Sequence, residues 1–346
     1  WGRAQPETGY AVVDRLTMAR PRIVPIIGGG PAGMSCALWL HNYGLRPIII
    51  EQETALGGMA RRSPYANDWL LGRPGETTRE NAAAFADHIG KLGIETWLDT
   101  QPRRLRRERG GGLRLELASG GGRERSLSGP IMVIATGARF DGEEWLDGIE
   151  NGRRLAAAGR VQLGPTAIGE PDADPAAQVA VIGGGDNAFE VAGILIARGV
   201  RVTIVMRSKL PKAQPLLVER VRKHEASGRA RVLAERTVAA LDDAGPGVRV
   251  RLDDGGEIEV DRVVLLFGYR PNADQPWLAE LALEKDARGY VVVDGNMETS
   301  CPGVFAVGDV ANPLHPCIAT AIAAGTMAAR QIQKLLARGT APASGP

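Results

Sequence analysis

The sequence runs to 346 residues, 44% hydrophobic and 24% charged, the balance of a soluble globular chain with room for two domains of ordinary size. A formal net charge of +2 argues against nucleic acid as a partner, and the local basic run Arg103 to Arg109 reads as a solvated loop or strand edge. Three widely spaced cysteines, Cys36, Cys301 and Cys317, exclude a disulfide framework or a Cys-x-x-Cys redox or zinc motif and point to a reducing cytoplasm.

In chain order, residues 1–19 read as a tail without the continuous apolar core of a secretory signal. An apolar run from Arg22 to Ile27 then leads into Gly28-Gly29-Gly30-Pro31-Ala32-Gly33, followed by a helical pattern from Met34 to Leu40. Val179 to Ile182 repeats the signal, leading into Gly183-Gly184-Gly185-Asp186-Asn187-Ala188 and a helix from Phe189 to Ala197, with the glycine triplets 155 residues apart. The strand, glycine turn and helix order is what a dinucleotide site requires. The first glycine permits the tight turn, the second lets a pyrophosphate approach the backbone, and a small third position (Gly33 or Ala188) lets helix and strand meet closely. The diphosphate then rests on unpaired N–H groups at the positive end of the helix dipole. One such motif is a weak signal; two, each between a strand and a helix, are a strong one.

The second strand of each unit separates the two sites by chemistry. Arg46 to Ile50 ends at Glu51, 23 residues after Gly28, where an acid suits an unphosphorylated ribose and hence FAD. The equivalent strand, Val200 to Val205, ends in Met206-Arg207-Ser208-Lys209 with no acid. Arg207, helped by Lys209 or Lys212, suits a 2′-phosphate, which favours NADPH over NADH. Gly164 to Pro175 has a linker composition, and the turn-rich stretch Asp242 to Gly256 reads as a hairpin joining Val248–Leu252 to Ile258–Val260. No apolar stretch approaches the ~18–20 residues that span a bilayer, and residues 339–346 read as a second tail. His41, His88 and His224 have no ligand-like spacing, so no metal site is expected.

These motifs resemble the low-molecular-weight thioredoxin reductase group of flavoproteins, from Arg22 to Leu336. Leu56-Gly57-Gly58-Met59 is similar to the family's segment beside the flavin. Asn67-Asp68-Trp69 with Arg73-Pro74-Gly75 resembles its Asn-Trp-Pro-Gly loop with residues inserted, and Val133 to Ala138 its return strand. Leu265 to Asn272 and Thr299 to Val310 resemble its later blocks. The resemblance implies an α/β fold of two Rossmann-like three-layer dinucleotide-binding domains. The FAD domain would be discontinuous (20–145 and 266–338), with an NAD(P)H domain (146–265) inserted. It assigns to FAD the residues Gly28, Gly30, Pro31, Ala32, Gly33, Glu51, Gln52, Gly58, Met59, Asp68, Ala135, Thr136, Gly137, Gly308, Asp309, Ile318 and Ala319. In this assignment Asp309 bonds the ribityl chain and the helix at Ile318 points its N-terminus at the flavin. To NADPH it assigns Gly183, Gly185, Asp186, Asn187, Arg207, Lys212 and Gly268. A homodimer is also implied.

The family's Cys-x-x-Cys pair is missing: the corresponding stretch, Val161 to Glu170, contains no cysteine. A dithiol relay needs two thiols close enough to bridge, so thioredoxin reductase activity is not expected. The leading expectation is electron transfer from NAD(P)H through FAD to an external acceptor, as in ferredoxin/flavodoxin-NADP reductases, the acceptor being a small redox protein or a small molecule. One alternative is a single-cysteine thiol or disulfide reductase using Cys317, at a helix N-terminus that favours thiolate, with His315 assisting. Another is a flavin-binding redox sensor with no pyridine nucleotide turnover.

Overall fold

The computed structural model describes residues 22–109, 111–165 and 177–338; the predicted tails and most of the predicted linker lie outside them. The chain opens with β1 (Ile23–Ile27), α1 (Pro31–Asn42), β2 (Arg46–Ile50), α2 (Thr78–Lys91) and β3 (Glu95–Trp97). An antiparallel ribbon of β4 (Thr100–Arg107), β5 (Leu113–Ser119) and β6 (Glu124–Gly129) precedes β7 (Met132–Ile134). After β8 (Ala138–Phe140) come α3 (Glu143–Gly148), α4 (Gly152–Ala157) and β9 (Val161–Leu163). The motif then repeats as β10 (Gln178–Ile182), α5 (Asp186–Ala197), β11 (Arg201–Met206), α6 (Pro215–Arg222) and β12 (Ala230–Ala234). A second antiparallel ribbon, β13 (Val238–Ala244), β14 (Gly247–Leu252) and β15 (Glu257–Val260), leads to β16 (Arg262–Leu265). The chain closes with β17 (Tyr269–Pro271), β18 (Val304–Ala306) and α7 (Ile318–Arg338).

Two parallel sheets result, ordered β18-β7-β1-β2-β3 and β12-β11-β10-β16-β9. In each, the strand feeding a glycine triplet is central, and the chain returns on its other side through β7 or β16. That places each elbow where the strand order reverses, the crevice position in which open α/β sheets bind ligands. The central strands, Ile-Val-Pro-Ile-Ile and Gln-Val-Ala-Val-Ile, are almost wholly apolar because both faces are covered. One core packs α1 and α7 on the first sheet (Met34, Leu40, Phe305, Ile332), and the ribbon leucines Leu105, Leu115 and Leu117 cover its opposite face. The second sheet is covered by Phe189 and Leu195 of α5 on one face and by Leu241, Val248 and Val250 of its ribbon on the other. Leu146 of α3 and Leu155 of α4 join that last cluster.

The chain passes from one sheet to the other at β8 and back at β17, and these two short strands pair antiparallel. No described helix is long and apolar enough to cross a membrane.

The basic run Arg103 to Arg109 falls largely on β4, an edge strand whose arginines reach Glu280, Glu116 and the carbonyl of Pro302. The hairpin of β14 with β15 is present, but Asp242, Asp243 and Ala244 are strand residues of β13 and not part of a turn. Their side chains face outward to cations: Asp243 binds Arg154 and Arg160, and Asp242 binds Arg251. The first helix starts at Pro31, three residues before its apolar pattern, because proline at the first helical position lacks only an N–H that no helix bond would use.

Helix α7 lies against α1 at Gly325, where an added Cβ would stand 2.4 Å from the Ala32 carbonyl oxygen and 2.8 Å from the Cys36 nitrogen. Both are backbone atoms of a buried helix. Gly325→Ala is therefore expected to destabilise the protein, even though alanine favours a helix by roughly 1 kcal/mol; the overpacking costs about 1–3 kcal/mol. A urea midpoint at or above that of the parent would show that the two helices can separate at no cost.

Candidate functional site

Backbone packing shapes both elbows. Gly28 has φ +114°, and a Cβ on it would lie 2.2 Å from the Ala135 carbonyl oxygen; a Cβ on Gly33 would lie 2.0 Å from the Gly28 oxygen. Gly30, the N-cap of α1, has no heavy atom within 4 Å of where its Cβ would be, so the helix's first N–H groups face open space. The second elbow repeats this plan. Gly183 has φ +153° and would set a Cβ 2.4 Å from the Leu266 oxygen, Gly185 is an open N-cap, and Ala188 is fully buried. Unfilled helix N-termini on glycine elbows are cradles for a diphosphate.

A cleft of about 1080 Å³ runs from the first elbow to the flank of α5. Of the residues expected at FAD, Gly28, Gly30, Pro31, Ala32, Glu51, Gln52, Gly58, Met59, Ala135, Thr136, Gly137, Asp309, Ile318 and Ala319 line it. Gly33 and Gly308 stand behind the wall as spacers, Gly308 because a Cβ would lie 2.7 Å from that of Ala32. Asp68 instead accepts a hydrogen bond from the Gly75 nitrogen at 3.3 Å within its own loop. Asp186 and Asn187 line the far side, whereas Gly183, Gly185, Gly268, Arg207 and Lys212 do not reach the cleft. The last two are exposed at the end of β11, beside the second elbow: Lys212 N–H donates to the Gly184 carbonyl at 2.8 Å. Among the described residues neither side chain, nor that of Lys209, has an ion-pair partner.

Glu51 is buried, and its two carboxylate oxygens accept the N–H groups of Gly29 (2.7 Å) and Glu53 (2.9 Å). It thus braces the elbow from beneath, and each oxygen keeps a further lone pair for a ribose hydroxyl. Asp309 is different: its Oδ1 is buried with no hydrogen-bond partner among the described residues. Burial pushes its carboxyl up to about 6. An orphaned acceptor on a cleft wall fits a ligand that brings hydroxyl donors, as the ribityl chain of a flavin would.

At the N-terminus of α7, Thr320 Oγ1 lies 2.9 Å from the His315 carbonyl and 3.4 Å from Cys317 Sγ, and Asn312 Nδ2 donates to both His315 O and Thr320 Oγ1. Cys317 is half-buried on the cleft and has Thr320, not the His315 imidazole, as its hydrogen-bond neighbour. Cys36 is fully buried, its thiol raised to about 12 by burial, and Cys301 is buried under Arg107.

Several cleft residues escape a reading of the sequence. Glu190 sits one helical turn beyond Asp186, and burial, then the Asp186 charge, raises its carboxyl above the usual range. Its place in the helix that follows the second glycine motif is the one signal the sequence carries for it. Tyr65 Oη donates to the Pro165 carbonyl at 2.6 Å, and Tyr269 Oη accepts from Asn187 Nδ2 at 3.1 Å. Thr136 and Asn272 clamp β8 to β17, each side chain donating to the other's backbone carbonyl, at 3.0 and 2.9 Å.

Asp309 gives a pH test. Its folded-state pKa lies above the ordinary 3.8, so the native state holds the proton more tightly than the unfolded chain. That contribution is complete below about pH 4 and is lost as pH rises to about 6. In ligand-free protein, Asp309→Asn is expected to remove this decline, leaving the variant more stable than the parent at pH 7 by about 3 kcal/mol. Parallel melting-temperature curves for the two proteins across pH 4–7 would refute it.

The chain matches the pyridine nucleotide-disulphide oxidoreductase family over residues 22–328. It is 29% identical over 307 residues to the ferredoxin–NADP reductase of Ignicoccus hospitalis, covering 88% of this chain and 94% of that one. It is 30% identical over 299 residues to the enzyme of the same name from Limosilactobacillus fermentum, covering 83% and 84%. Among solved structures, a thioredoxin reductase of Lactococcus lactis shares the fold with a TM-score of 0.78 at 24% identity, covering 92% of this chain and all of that one. With one open glycine elbow and an orphaned acceptor on the cleft and a second open elbow behind its far side, the chain belongs to the pyridine nucleotide-disulphide oxidoreductases and is a flavin-dependent NAD(P)H oxidoreductase.

Proposed function

We propose that this enzyme passes electrons from NADPH by way of FAD to a small redox protein, of ferredoxin or flavodoxin type, without a dithiol relay. The observation that carries the reading is the thiol inventory of the cleft: Cys317 lines it, whereas Cys36 and Cys301 are buried elsewhere. Where the second unit borders the cleft, Gly164 has φ +79° and its missing Cβ would stand 2.3 Å from the Phe140 ring, leaving no room for a side chain. The relatives named ferredoxin–NADP reductase support the choice of acceptor.

Within this reading, the α1 N-terminus holds the FAD diphosphate, Glu51 and Gln52 the adenosine ribose, and Asp309 a ribityl hydroxyl. FAD supplies a ring that accepts two electrons together and releases them singly. The N-terminal dipole of α7, opening at Ile318 and Ala319 on the cleft, would stabilise negative charge that develops on the ring. Across the cleft, the α5 N-terminus holds the nicotinamide dinucleotide, with Arg207 and Lys212 on its 2′-phosphate. The reaction balances as NADPH plus two oxidised one-electron carriers giving NADP⁺, one proton and two reduced carriers. The FAD unit (20–145 with 266–338), the inserted unit (146–265), a homodimer and a cytoplasmic setting complete the proposal, the last supported by three free cysteines.

Anaerobic mixing with NADPH is expected to bleach the flavin's long-wavelength band in a fast phase. No bleaching with either nucleotide would favour a redox sensor instead. Arg207→Ala is expected to raise KM for NADPH about tenfold, or about 1.4 kcal/mol, with little change for NADH; equal changes would remove the phosphate role. A second reading rests on the cleft position of Cys317, a single-cysteine disulfide reductase. Cys317→Ser decides it: lost turnover of low-molecular-weight disulfides with retained carrier reduction would establish the thiol route.

A further inference from the structure

Hydride transfer makes a demand that neither unit meets alone. Reacting atoms must stand about 3–3.5 Å apart, and in this chain the two glycine elbows belong to different units. Units that meet over a narrow interface move relative to one another unless a further contact holds them. The angle between the units therefore bears directly on the rate.

The crossing strands supply one attachment. β8 pairs with β17, the Phe140 and Tyr269 rings lie 5.5 Å apart, and Arg270 binds Asp141 and Glu144. Asn187 of α5 donates to Tyr269 beside them. All of these contacts lie on or next to one stem, and a single stem leaves two bodies a pivot.

Tyr65 supplies a second attachment from another part of the chain. It belongs to the first unit, in the loop between the 3₁₀ helix Gly58–Arg62 and α2, yet its ring packs against the α5–α6 core of the second. The charges of Glu190 and Arg198 both reach its hydroxyl. Those two residues stand roughly two helical turns apart along α5, so the ring lies against the body of the helix and not only its tip. Tyr65 Oη donates to the Pro165 carbonyl at 2.6 Å, and burial raises the phenol to about 12, so the donor keeps its proton through neutral pH.

Both ends of this contact are stiff. The Tyr65 carbonyl accepts the Thr78 N–H at 2.8 Å, the Ser63 carbonyl accepts the Arg79 N–H at 3.0 Å, and the Thr77–Glu80 capping box fixes the start of α2 from which the loop hangs. On the other side, Pro165 follows Gly164, whose φ of +79° and close contact with the Phe140 ring set the path of the backbone.

We propose that Tyr65 is a positioning residue for hydride transfer: its ring and hydroxyl pin the second unit so that Asp186, Asn187 and Glu190 of α5 stay against the cleft. This rests on the assignment of the first elbow to FAD and the second to NADPH, and names what holds the two in register.

Anaerobic stopped-flow mixing of the FAD-loaded full chain with NADPH reads the limiting rate of flavin reduction. Tyr65→Ala is expected to lower that rate at least about tenfold, with the half-saturating NADPH concentration and the oxidised flavin spectrum unchanged. Tyr65→Phe keeps the ring and loses the donor, and is expected to lower the rate about threefold. Small-angle X-ray scattering of the same oxidised enzymes gives a readout that loss of a purely local packing contact would not move. The Tyr65→Ala profile is expected to show a larger maximum dimension and a broader distance distribution than the parent, with Tyr65→Phe between them. If Tyr65→Ala does not fold, Tyr65→Phe decides on both measurements. Unchanged limiting rates, or lowered rates with superimposable scattering, would overturn the pin. A shifted flavin band in Tyr65→Phe would assign the side chain to the flavin itself and reject it as well. A parent enzyme that NADPH fails to reduce would instead overturn the assignment of the elbows beneath it.

Discussion

Two backbone contacts of the same kind underlie the architecture. In each unit the first glycine of the elbow presses against the carbonyl that ends the return strand, Gly28 on Ala135 and Gly183 on Leu266. Neither approach tolerates a side chain, and both glycines adopt positive φ. Because the elbow is that close, the helix after it starts at the lip of the sheet with its N–H groups uncovered. The cradle is therefore a by-product of packing, and everything lining the cleft is arranged around it.

What faces the cradle differs between the units, and electrostatics explains why. In the first, a buried carboxylate closes the bottom of the elbow, and its two oxygens satisfy backbone donors that would otherwise be stranded. In the second, the equivalent strand ends in exposed cations, and the acid nearest the elbow, Asp186, is engaged by Gln214. Identical local folding thus ends in a buried carboxylate in one unit and in exposed cations in the other. The difference lies in the residues after each second strand, not in the elbow.

This also governs how much could be read in advance. The elbows, their strands and helices, Glu51 and the Asp309 segment carry short-range patterns, because glycine geometry and 3.6- or 2-residue periodicity are local. Tyr65 and Phe140 carry none, and Glu190 and Tyr269 only their places in the helix of the second repeat and in the 265–272 block. They come from four separate segments and acquire their roles only when the units meet across the cleft. Asp242 and Asp243 misled in the opposite direction. Adjacent acids before Gly-Pro-Gly resemble a turn, but arginines from α4 and β14 pair with them and make a strand affordable there.

The crossing between the units is narrow. Ala138 lies opposite Pro271 and Phe140 opposite Tyr269, so the chain leaves the first unit and re-enters it through adjacent strands, clipped together by Thr136 and Asn272. A segment whose two ends are neighbours in space behaves as a cassette. The described residues from Asp141 to Gly268 contribute no strand to the first sheet, so cutting at this stem would leave that sheet whole while exposing the face on which Tyr65 packs.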